Sequence, residues 1–257
     1  ELKEYKKEFG SPRKTSVENA AEVVLEEKKA EELPVVFLMD RFGYARTVDE
    51  SVYERNKEAA DSENRVVLHC MNTGKLCVFT DTGKQHLLKV MDVPFGRFRD
   101  KGTPIDNLCN YNSSEESFVT VLSLADIADS SLTFVTRQGN IKRVSGKELD
   151  VAKRTIAATK LGEDDRVSTV RRTEDDTQIV LQTKNGFLLR FPLSEVPIQK
   201  KAAQGVRGIR LSAGDYISDV YFLGLGDPTE IEIHDRTVSL NRLKISTRDS
   251  KGTKPRG

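Results

Sequence analysis

The chain has 257 residues, of which 37% are hydrophobic, so it can bury a sizeable core as one large domain or two ordinary ones. The 41 Lys and Arg residues are balanced by 40 Asp and Glu, which excludes a protein coated in positive charge and confines any polyanion site to a local patch. Because no apolar run of about 18 residues and no charged-then-apolar leader occurs, we expect no membrane span, no signal peptide, no membrane partner and a cytoplasmic location.

The cysteines predict no metal or disulfide chemistry. They are odd in number and contain no CxxC pair, which is typical of reduced, half-buried strand residues. A metal site would also need the scattered histidines, so we predict none. The residues concerned are Cys70, Cys77 and Cys109 with His69, His86 and His234.

Residues 1–33 differ from the rest of the chain in composition and in the secondary structure that they predict. The stretch ELKEYKKEF is helix-forming and charged, Gly10 and Pro12 interrupt it, and Val17 to Glu32 resumes with Ala, Glu and Lys. We predict the end of a coiled-coil helix followed by a linker, with an N-terminal helix packed on the domain as the alternative.

From Pro34 onward the sequence repeats a short pattern. Each copy has an apolar strand, one or two polar residues, a Gly, and a second strand that ends in a basic residue beside an apolar one. The copies are VVFLMDRFGYARTV (35–48), LCVFTDTGKQHLLKV (76–90), LTFVTRQGNIKRV (132–144) and QIVLQTKNGFLLRF (178–191). The pattern predicts a series of β-hairpins.

The glycines of these copies mark tight turns. They stand 40 to 56 residues apart, a spacing that suits one β-blade per repeat, and a hairpin turn needs the positive φ that Gly adopts without a Cβ penalty. A fifth copy, EIEIHDRTVSLNRL (230–243), has Val238 where the Gly would align. Its turn must differ.

A further strand follows each hairpin. ESFVTVLSL (116–124), DRVSTVRRT (165–173) and DYISDVYFL (215–223) each place an acidic residue before alternating apolar positions. The prediction is an all-β, propeller-like fold of about five four-stranded blades spanning residues 34–257. The blade boundaries fall at about 34–73, 74–130, 131–176, 177–228 and 229–257.

Cations are concentrated in the loops between the hairpin and the later strand of each unit. Equivalent loops of a propeller lie along one rim, so an overall neutral protein would carry a curved positive band that matches a bent phosphate backbone. The predicted DNA-binding residues of these loops are Arg97, Arg99, Lys101 and Gly102; Lys153, Arg154 and Lys160; Lys200, Lys201, Arg207 and Arg210; and Arg248, Lys251, Lys254 and Arg256.

Three arginines that follow the hairpin turns are weaker candidates. Arg46, Arg143 and Arg190 could contact DNA, or they could form surface ion pairs with Asp40, Glu148 or Glu195, each worth under about 1 kcal/mol.

The repeats and loops together resemble a known family, the C-terminal DNA-wrapping β-pinwheel domain of the A subunits of bacterial type IIA topoisomerases. LTFVTRQGNIKRV and VVFLMDRFGYARTV resemble the blade opening of the family, and KKEFGSPRKT (6–15) resembles the end of the preceding catalytic core. The resemblance implies duplex DNA as the partner, bound through phosphates, and a nucleoid-associated location.

The resemblance favours the topoisomerase IV branch over DNA gyrase. Gyrase carries a strict basic box, roughly QRRGGKG, in one loop, whereas GRFRDKGTP (96–104), KKAAQGVRG (200–208) and RDSKGTKPRG (248–257) are degenerate relative to it. The number of repeat units, about five and not six, also favours topoisomerase IV. A gyrase with a divergent box is the alternative.

The resemblance also implies that this chain is not an enzyme by itself. The catalytic tyrosine and the metal-binding acidic residues of the family lie in an upstream core and a partner subunit, so we predict no catalytic residue, no metal and no cofactor here. The parent enzyme would use ATP and Mg²⁺ and would join this domain to the topoisomerase core and to a B-type ATPase subunit.

A protein-binding propeller is the alternative from a different class. It would display exposed aromatic and apolar residues in its loops, since interface hot spots favour Trp, Tyr and Arg. The chain has no Trp, and its repeated loops are dominated by Lys, Arg, Gly and Thr.

Overall fold

The computed structural model describes residues 2–8, 10, 31–174, 177–233 and 235–255. The chain divides into two compact units, Glu1–Glu31 and Glu32–Gly257. In the first unit, helix α1 (Leu2–Glu8) is described. The predicted helical segment from Val17 and the linker around Pro12 lie outside the described residues.

The second unit is built from short strands. In the described part of this unit, α-helices follow β2 and β7, and there are five single-turn 3-10 helices. The strands are β1 (Pro34–Asp40), β2 (Tyr44–Asp49), β3 (Asn64–Met71), β4 (Lys75–Thr80), β5 (Lys84–Lys89), β6 (Thr103–Pro104), β7 (Phe118–Ser123), β8 (Ser131–Thr136), β9 (Asn140–Ser145), β10 (Thr155–Ala157), β11 (Val167–Thr173), β12 (Gln178–Thr183), β13 (Leu188–Pro192), β14 (Val206–Arg207), β15 (Ile217–Leu223), β16 (Glu230–Glu232) and β17 (Thr237–Ser239). The helices are α2 (Glu50–Arg55), α3 (Lys57–Glu63) and α4 (Leu124–Ile127), and the 3-10 helices are Val90–Asp92, Ile105–Asn107, Gly146–Glu148, Leu193–Glu195 and Leu240–Arg242.

The predicted hairpins are confirmed at their turns. Gly43, Gly83, Gly139 and Gly186 have φ values of 85°, 78°, 79° and 81°. In the described part of the fifth hairpin, Asp235 has a φ of 60° and lies in the turn. Val238, which the sequence alignment placed at the Gly position, lies in strand β17 opposite Ile231, so this turn differs from the others as predicted.

The sheets are antiparallel, but they do not coincide with consecutive stretches of the chain. Their strand orders are β3-β1-β2-β6, β10-β5-β4-β7 and β11-β8-β9-β14. In each of these, the short outer strand comes from the following unit of the repeat. The prediction that each unit supplies all four strands of its own blade is therefore corrected: each of the first three units keeps three strands and receives the fourth from the next unit.

The last two sheets are smaller. The fourth has the order β13-β12-β15, and Thr253 of the next unit adds an antiparallel bridge to Leu188 at its outer edge. The fifth consists of β16 and β17 alone among the described residues.

The core lies between neighbouring sheets and follows the alternation of each strand. Phe37 and Met39 of β1 pack with Val78 of β4, whereas Cys77 and Phe79, on the other face of β4, pack with the third sheet. This arrangement gives each interior strand two buried faces. The equivalent outward face of the first sheet is covered by helices α2 and α3, through Tyr53 and Ala60.

Strands β3, β7, β11 and β15 contact one another in series, which places them at the inner edge of the sheets. The acidic residues predicted before β11 and β15 have a structural task. Asp165 accepts hydrogen bonds from the main-chain N–H of Gln138 (3.0 Å) and of Arg166 (2.8 Å), and Asp215 accepts from the N–H of Asn185 (3.1 Å) and Tyr216 (3.0 Å). These carboxylates fasten the hairpin turn to the inner strand.

Among the described residues, none of the helices is long and apolar enough to cross a bilayer. The three cysteines are free thiols, half-buried or buried, and burial raises the pKa of Cys77 to about 12. Cys70 and Cys77 lie in strands, whereas Cys109 follows a 3-10 helix.

Candidate nucleic-acid interface

Three loops at the outer edge of the sheets share one construction. We call them the clamped loops: residues 95–102, 198–205 and 245–252. Each begins at an apolar residue that forms a parallel bridge with a strand of the preceding sheet: Phe95 with Thr47, Ile198 with Arg143, and Ile245 with Arg190. The residue after the apolar one donates its N–H to that same strand residue, over 3.1, 2.7 and 2.8 Å respectively.

Each clamped loop ends at a glycine, seven positions after the apolar residue. Gly102, Gly205 and Gly252 have positive φ, and their backbones press against the carbonyl groups of Ala45, Ile141 and Leu188. A Cβ on Gly205 or Gly252 would stand 2.7 Å from that carbonyl oxygen, which is too close for any side chain. Glycine is therefore required here by the close approach of two backbones.

The two ends of a clamped loop are fixed two residues apart on one strand. The next residue after the glycine pairs with that strand, as Val206 does with Ile141 and Thr253 with Leu188. The six residues between the ends must therefore project from the sheet edge. Seven of the predicted cations occupy this projecting part: Arg97, Arg99, Lys101, Lys200, Lys201, Arg248 and Lys251. Arg207, Arg210 and Lys254 come after the closing glycine.

Most of the predicted loop cations are exposed. In the first clamped loop they are Arg97, Arg99 and Lys101, and in the second Lys200, while Lys201 is half-buried and donates to the carbonyl of Glu148 (2.9 Å). In the third loop Lys251 is exposed, Arg248 is half-buried, and Lys254 is exposed just beyond. Arg256 lies outside the described residues.

The inside of the second clamped loop holds a buried ammonium group. Lys142 is 1% exposed, and its Nζ donates to the carbonyl oxygens of Lys201 and Ala203, each at 2.8 Å. Burial lowers the pKa of Lys142 to about 8, against a smaller opposing effect of Glu148. This lysine holds the loop in shape rather than facing solvent.

An equivalent anchor occurs in the first loop. Nε of Arg46 donates to the carbonyl of Phe98 (3.1 Å), and its guanidinium lies 5.7 Å from the centre of the Phe98 ring. Arg190 anchors the start of the third loop by donating to the carbonyls of Asn241 and Leu243 and to Gln178 Oε1.

These positions correct part of the sequence interpretation. Arg46 is 7% exposed and Arg143 is 4% exposed, so neither can reach a DNA phosphate without rearrangement of the loop above it. Both leave the set of candidate phosphate contacts. Arg190 is half-buried, and its bonds to backbone carbonyls replace the alternative ion pair with Glu195.

The loop of the third unit is built differently. Lys153, Arg154 and Lys160 are exposed, but Arg154 already accepts a hydrogen bond at its carbonyl from the N–H of Leu87 (2.7 Å), and β10 follows at once. No glycine ends this loop, and its backbone stays against β5. Its cations therefore lie closer to the sheet than those of the clamped loops.

The third clamped loop is joined to the segment that follows the second. Asp249 Oδ1 lies 3.3 Å from Nε of Arg207 and 3.9 Å from Nε of Arg210. The N–H of Asp249 donates to the carbonyl of Gly208 (2.8 Å), and the N–H of Arg210 donates to the carbonyl of Ser250 (2.9 Å). Two exposed guanidinium groups and one carboxylate thus form a small cluster between neighbouring loops.

Sequence reasoning missed two groups of residues. In the sequence Lys142 looks only like a strand residue, although it shares its position after the turn with Arg46. Phe95, Ile198 and Ile245 were also missed, and the signal that could have found them is their constant distance of seven residues from Gly102, Gly205 and Gly252.

Known proteins resemble both the sequence and the fold. The family described as DNA gyrase C-terminal domain, beta-propeller, matches residues 130–174 and 177–223. The DNA gyrase A subunit of Lawsonia intracellularis is 29% identical over 267 residues, covering 96% of this chain and 32% of the relative. The chain thus spans about a third of the length of the curated relatives it matches.

Solved structures share the architecture. The crystal structure of the C-terminal domain of DNA topoisomerase IV superposes with a TM-score of 0.74 at 23% identity, covering 87% of this chain and 73% of that one. The E. coli ParC C-terminal domain gives a TM-score of 0.70 at 17% identity, covering 88% and 95%.

The strand exchange between successive four-stranded sheets, together with these matches, defines the chain as a β-pinwheel domain. The chain is thus similar in sequence to A subunits of DNA gyrase, with a match to the gyrase C-terminal domain over residues 130–174 and 177–223, and similar in fold to the C-terminal domain of topoisomerase IV, which confirms the resemblance drawn from the repeats.

Proposed function

We propose that this domain binds duplex DNA through the projecting parts of the clamped loops. The observation that carries the proposal is that three loops with the same two clamps present exposed Lys and Arg side chains at equivalent places. These loops lie at the outer edges of the first, third and fourth sheets, and the exposed cations Lys153 and Arg154 lie beside the second sheet, so the cations follow the order of the sheets as a continuous phosphate backbone could.

The binding is largely independent of base sequence. Lys and Arg side chains neutralise phosphates and release condensed counterions, and such contacts carry no base information by themselves. Bending a duplex over several loops costs on the order of 1 to 6 kcal/mol, so the loops must act together. The residues proposed for this role are Arg97, Arg99, Lys101, Lys200, Lys201, Arg207, Arg210, Arg248, Lys251 and Lys254, with Lys153, Arg154 and Lys160 beside them.

The domain acts as a non-catalytic part of a larger ATP-dependent topoisomerase, an isomerase. In that enzyme the cleavage of DNA belongs to the core of the same polypeptide, and ATP and Mg²⁺ are bound by that core and a B-type ATPase subunit. This chain contributes the capture and bending of a DNA segment for strand passage.

Within the family, we propose that the chain belongs to a topoisomerase IV. The degenerate loops, none of which carries the QRRGGKG string, support this assignment. The alternative, a gyrase with a divergent box, is favoured by the curated relatives, which are named as A subunits of DNA gyrase. Supercoiling of a relaxed plasmid by the holoenzyme separates the two, because introduction of negative supercoils would identify a gyrase and decatenation without supercoiling a topoisomerase IV.

The DNA-binding proposal is tested by fluorescence anisotropy with a short labelled duplex over a series of NaCl concentrations. The logarithm of the affinity should fall linearly with log salt, with a slope of about −3 or steeper for four or more phosphates. A second duplex of unrelated sequence should give a similar slope. A flat salt response, or no binding at low salt, would refute the proposal.

A further inference from the structure

An open, polar cavity of about 310 Å³ lies where the inner strands β3, β7 and β11 follow one another. It is at the opposite edge of the sheets from the clamped loops. None of the side chains that line it is among the predicted DNA contacts. Its polar lining consists of three guanidinium groups, two hydroxyls and one carboxylate, those of Arg65, Arg137 and Arg166, of Ser117 and Ser168, and of Asp81.

Positive charge is in excess around this cavity. Its three arginines are exposed, and none has a carboxylate within 4.0 Å in the part of the chain that the structure describes. The carboxylate of Asp81 is already engaged, since its Oδ1 accepts a hydrogen bond from the N–H of Ser117 (2.7 Å). Three positive charges and one negative charge leave an excess of two positive charges, which repel one another until an anion enters.

Hydrogen bonds within and between units hold the walls of the cavity in place. The N–H of Val167 donates to the carbonyl of Asp81 (2.7 Å), and the N–H of Arg137 donates to the carbonyl of Arg166 (2.8 Å). The turns of the second and third hairpins are therefore fixed against β11. The cavity between them is set by the folded backbone and does not depend on one side-chain rotamer.

Aromatic rings hold two of the three guanidinium groups. That of Arg65 lies 4.5 Å from the centre of the Phe118 ring and donates to the carbonyl of Phe118 (3.3 Å). That of Arg137 lies 5.7 Å from the centre of the Tyr216 ring. Such contacts restrict these long side chains before a ligand arrives, which lowers the entropy cost of binding. Arg166 makes no side-chain hydrogen bond or ion pair within the described residues, so its donors are available to a ligand.

We propose that this cavity binds the phosphate oxygens of a multiply charged anion. Guanidinium groups bind phosphate oxygens through pairs of parallel N–H···O bonds, and three of them around one cavity can surround a tetrahedral group, with the hydroxyls of Ser117 and Ser168 as further donors. The two excess positive charges match such an anion better than a single carboxylate. A free polyphosphate and the backbone of duplex DNA both offer this chemistry. The site is separate from the clamped loops, so it goes beyond the proposed function and does not depend on it.

Isothermal titration calorimetry of the chain with pyrophosphate at low salt tests the proposal. The parent should bind saturably, and its thermal midpoint should rise with the pyrophosphate concentration. Arg166→Gln should weaken this binding about tenfold, because one charge-assisted pair of hydrogen bonds is lost. Arg172→Gln makes the same change of charge at an exposed arginine outside the cavity, so it should bind like the parent. Without pyrophosphate, both variants should unfold at the parent's midpoint, which excludes a folding defect.

A parent that does not bind pyrophosphate saturably, or an equal weakening by the two substitutions, would overturn the proposal. The labelled duplex then separates the two sources of phosphate. If Arg166→Gln binds the duplex like the parent, the ligand is a free phosphate anion; if Arg166→Gln loses affinity for the duplex while Arg172→Gln does not, the ligand is the DNA backbone. If the parent binds pyrophosphate but no duplex at low salt, the DNA-binding proposal fails and the cavity site stands.

Discussion

The ammonium nitrogen of Lys142 lies 2.8 Å from the carbonyl oxygen of Ala203, in a loop contributed by the next unit of the repeat. A cation that is 1% exposed and has backbone carbonyls as its partners is a structural cation. Lys142 lies in β9, the strand with which the exchanged strand β14 pairs. It therefore fixes the shape of the loop that precedes β14, which we propose to hold DNA.

Replacing Lys142 by Met should destabilise the domain by about 2 kcal/mol. The substitution removes the hydrogen bonds from Nζ to the carbonyls of Lys201 and Ala203, and leaves the second with the longer bond from the N–H of Lys160 (3.3 Å). This loss outweighs the relief of removing a buried charge. Urea unfolding measures the change. Lys147→Met is the control, because the side chain of Lys147 is 77% exposed and its loss should change stability by less than about 0.5 kcal/mol. Equal effects of the two substitutions would contradict the structural role.

The stability of the parent relative to Lys142→Met should also depend on pH. Because burial lowers the pKa of Lys142 from 10.5 to about 8, the unfolded chain binds the proton more tightly than the folded one between these values. The parent should therefore gain stability relative to the variant as pH rises from about 8 to 10.5, and the difference should be constant below about 7. Urea midpoints of both proteins at each pH measure this difference in stability. A difference that shrinks as the pH rises would contradict the lowered pKa of Lys142.

The glycine that ends each clamped loop should be intolerant of alanine. Gly205 has φ of +98°, and an added Cβ would stand 2.7 Å from the carbonyl oxygen of Ile141. We expect Gly205→Ala to cost about 3 kcal/mol or more, from backbone strain plus the clash. Gly214→Ala separates the two causes, since Gly214 has φ of +73° with no atom within 4 Å, and should cost only about 1 to 2 kcal/mol. Similar urea midpoints for both variants would remove the clash from the explanation.

Charge reversal in the first clamped loop should reduce both the affinity for DNA and its salt dependence. Arg97, Arg99 and Lys101 are exposed, and changing all three to Glu should make the slope of log affinity against log salt shallower by about 2 to 3. The control is Lys75, Lys89 and Lys147 changed to Glu together, which alters net charge equally at exposed positions outside the clamped loops. If both triple variants change the slope alike, binding depends on net charge and not on this loop.

The repeated hairpins could be predicted from sequence because their cause is local. A turn with φ near +80° requires Gly, and alternating apolar residues reveal strands with buried faces, so the copies around Gly83 and Gly139 could be recognised from the sequence alone. The acidic residue before the inner strand was also visible, although its bonds to the turn were not.

The exchange of outer strands could not be predicted in the same way. Thr103–Pro104 and Val206–Arg207 have two residues each, too few to show any periodicity, and their partners lie in the preceding unit. The burial of Arg46 and Arg143 could not be predicted for a related reason. Arg46 and the exposed Lys101 are the same kind of residue in sequence, and only the fold of the loop decides that the first is buried beneath it.

Removing the carboxylate of Asp249 should strengthen DNA binding. Its Oδ1 lies 3.3 Å from Nε of Arg207 and 3.9 Å from Nε of Arg210, so it holds two guanidinium groups that could otherwise face phosphates. Asn tolerates the φ of +63° at this position, so Asp249→Asn should keep the backbone, with a loss of stability under about 1 kcal/mol.

The affinity of Asp249→Asn should rise several-fold at fixed salt, and its salt slope should steepen by about 1, as one more phosphate is neutralised. Asp92→Asn makes the same change of charge at an exposed residue that has no ion pair within the described part of the chain, and it should raise the affinity less. Anisotropy titrations of both variants over a salt series measure these affinities and slopes. If Asp249→Asn binds like the parent, Arg207 and Arg210 lie off the path of the DNA.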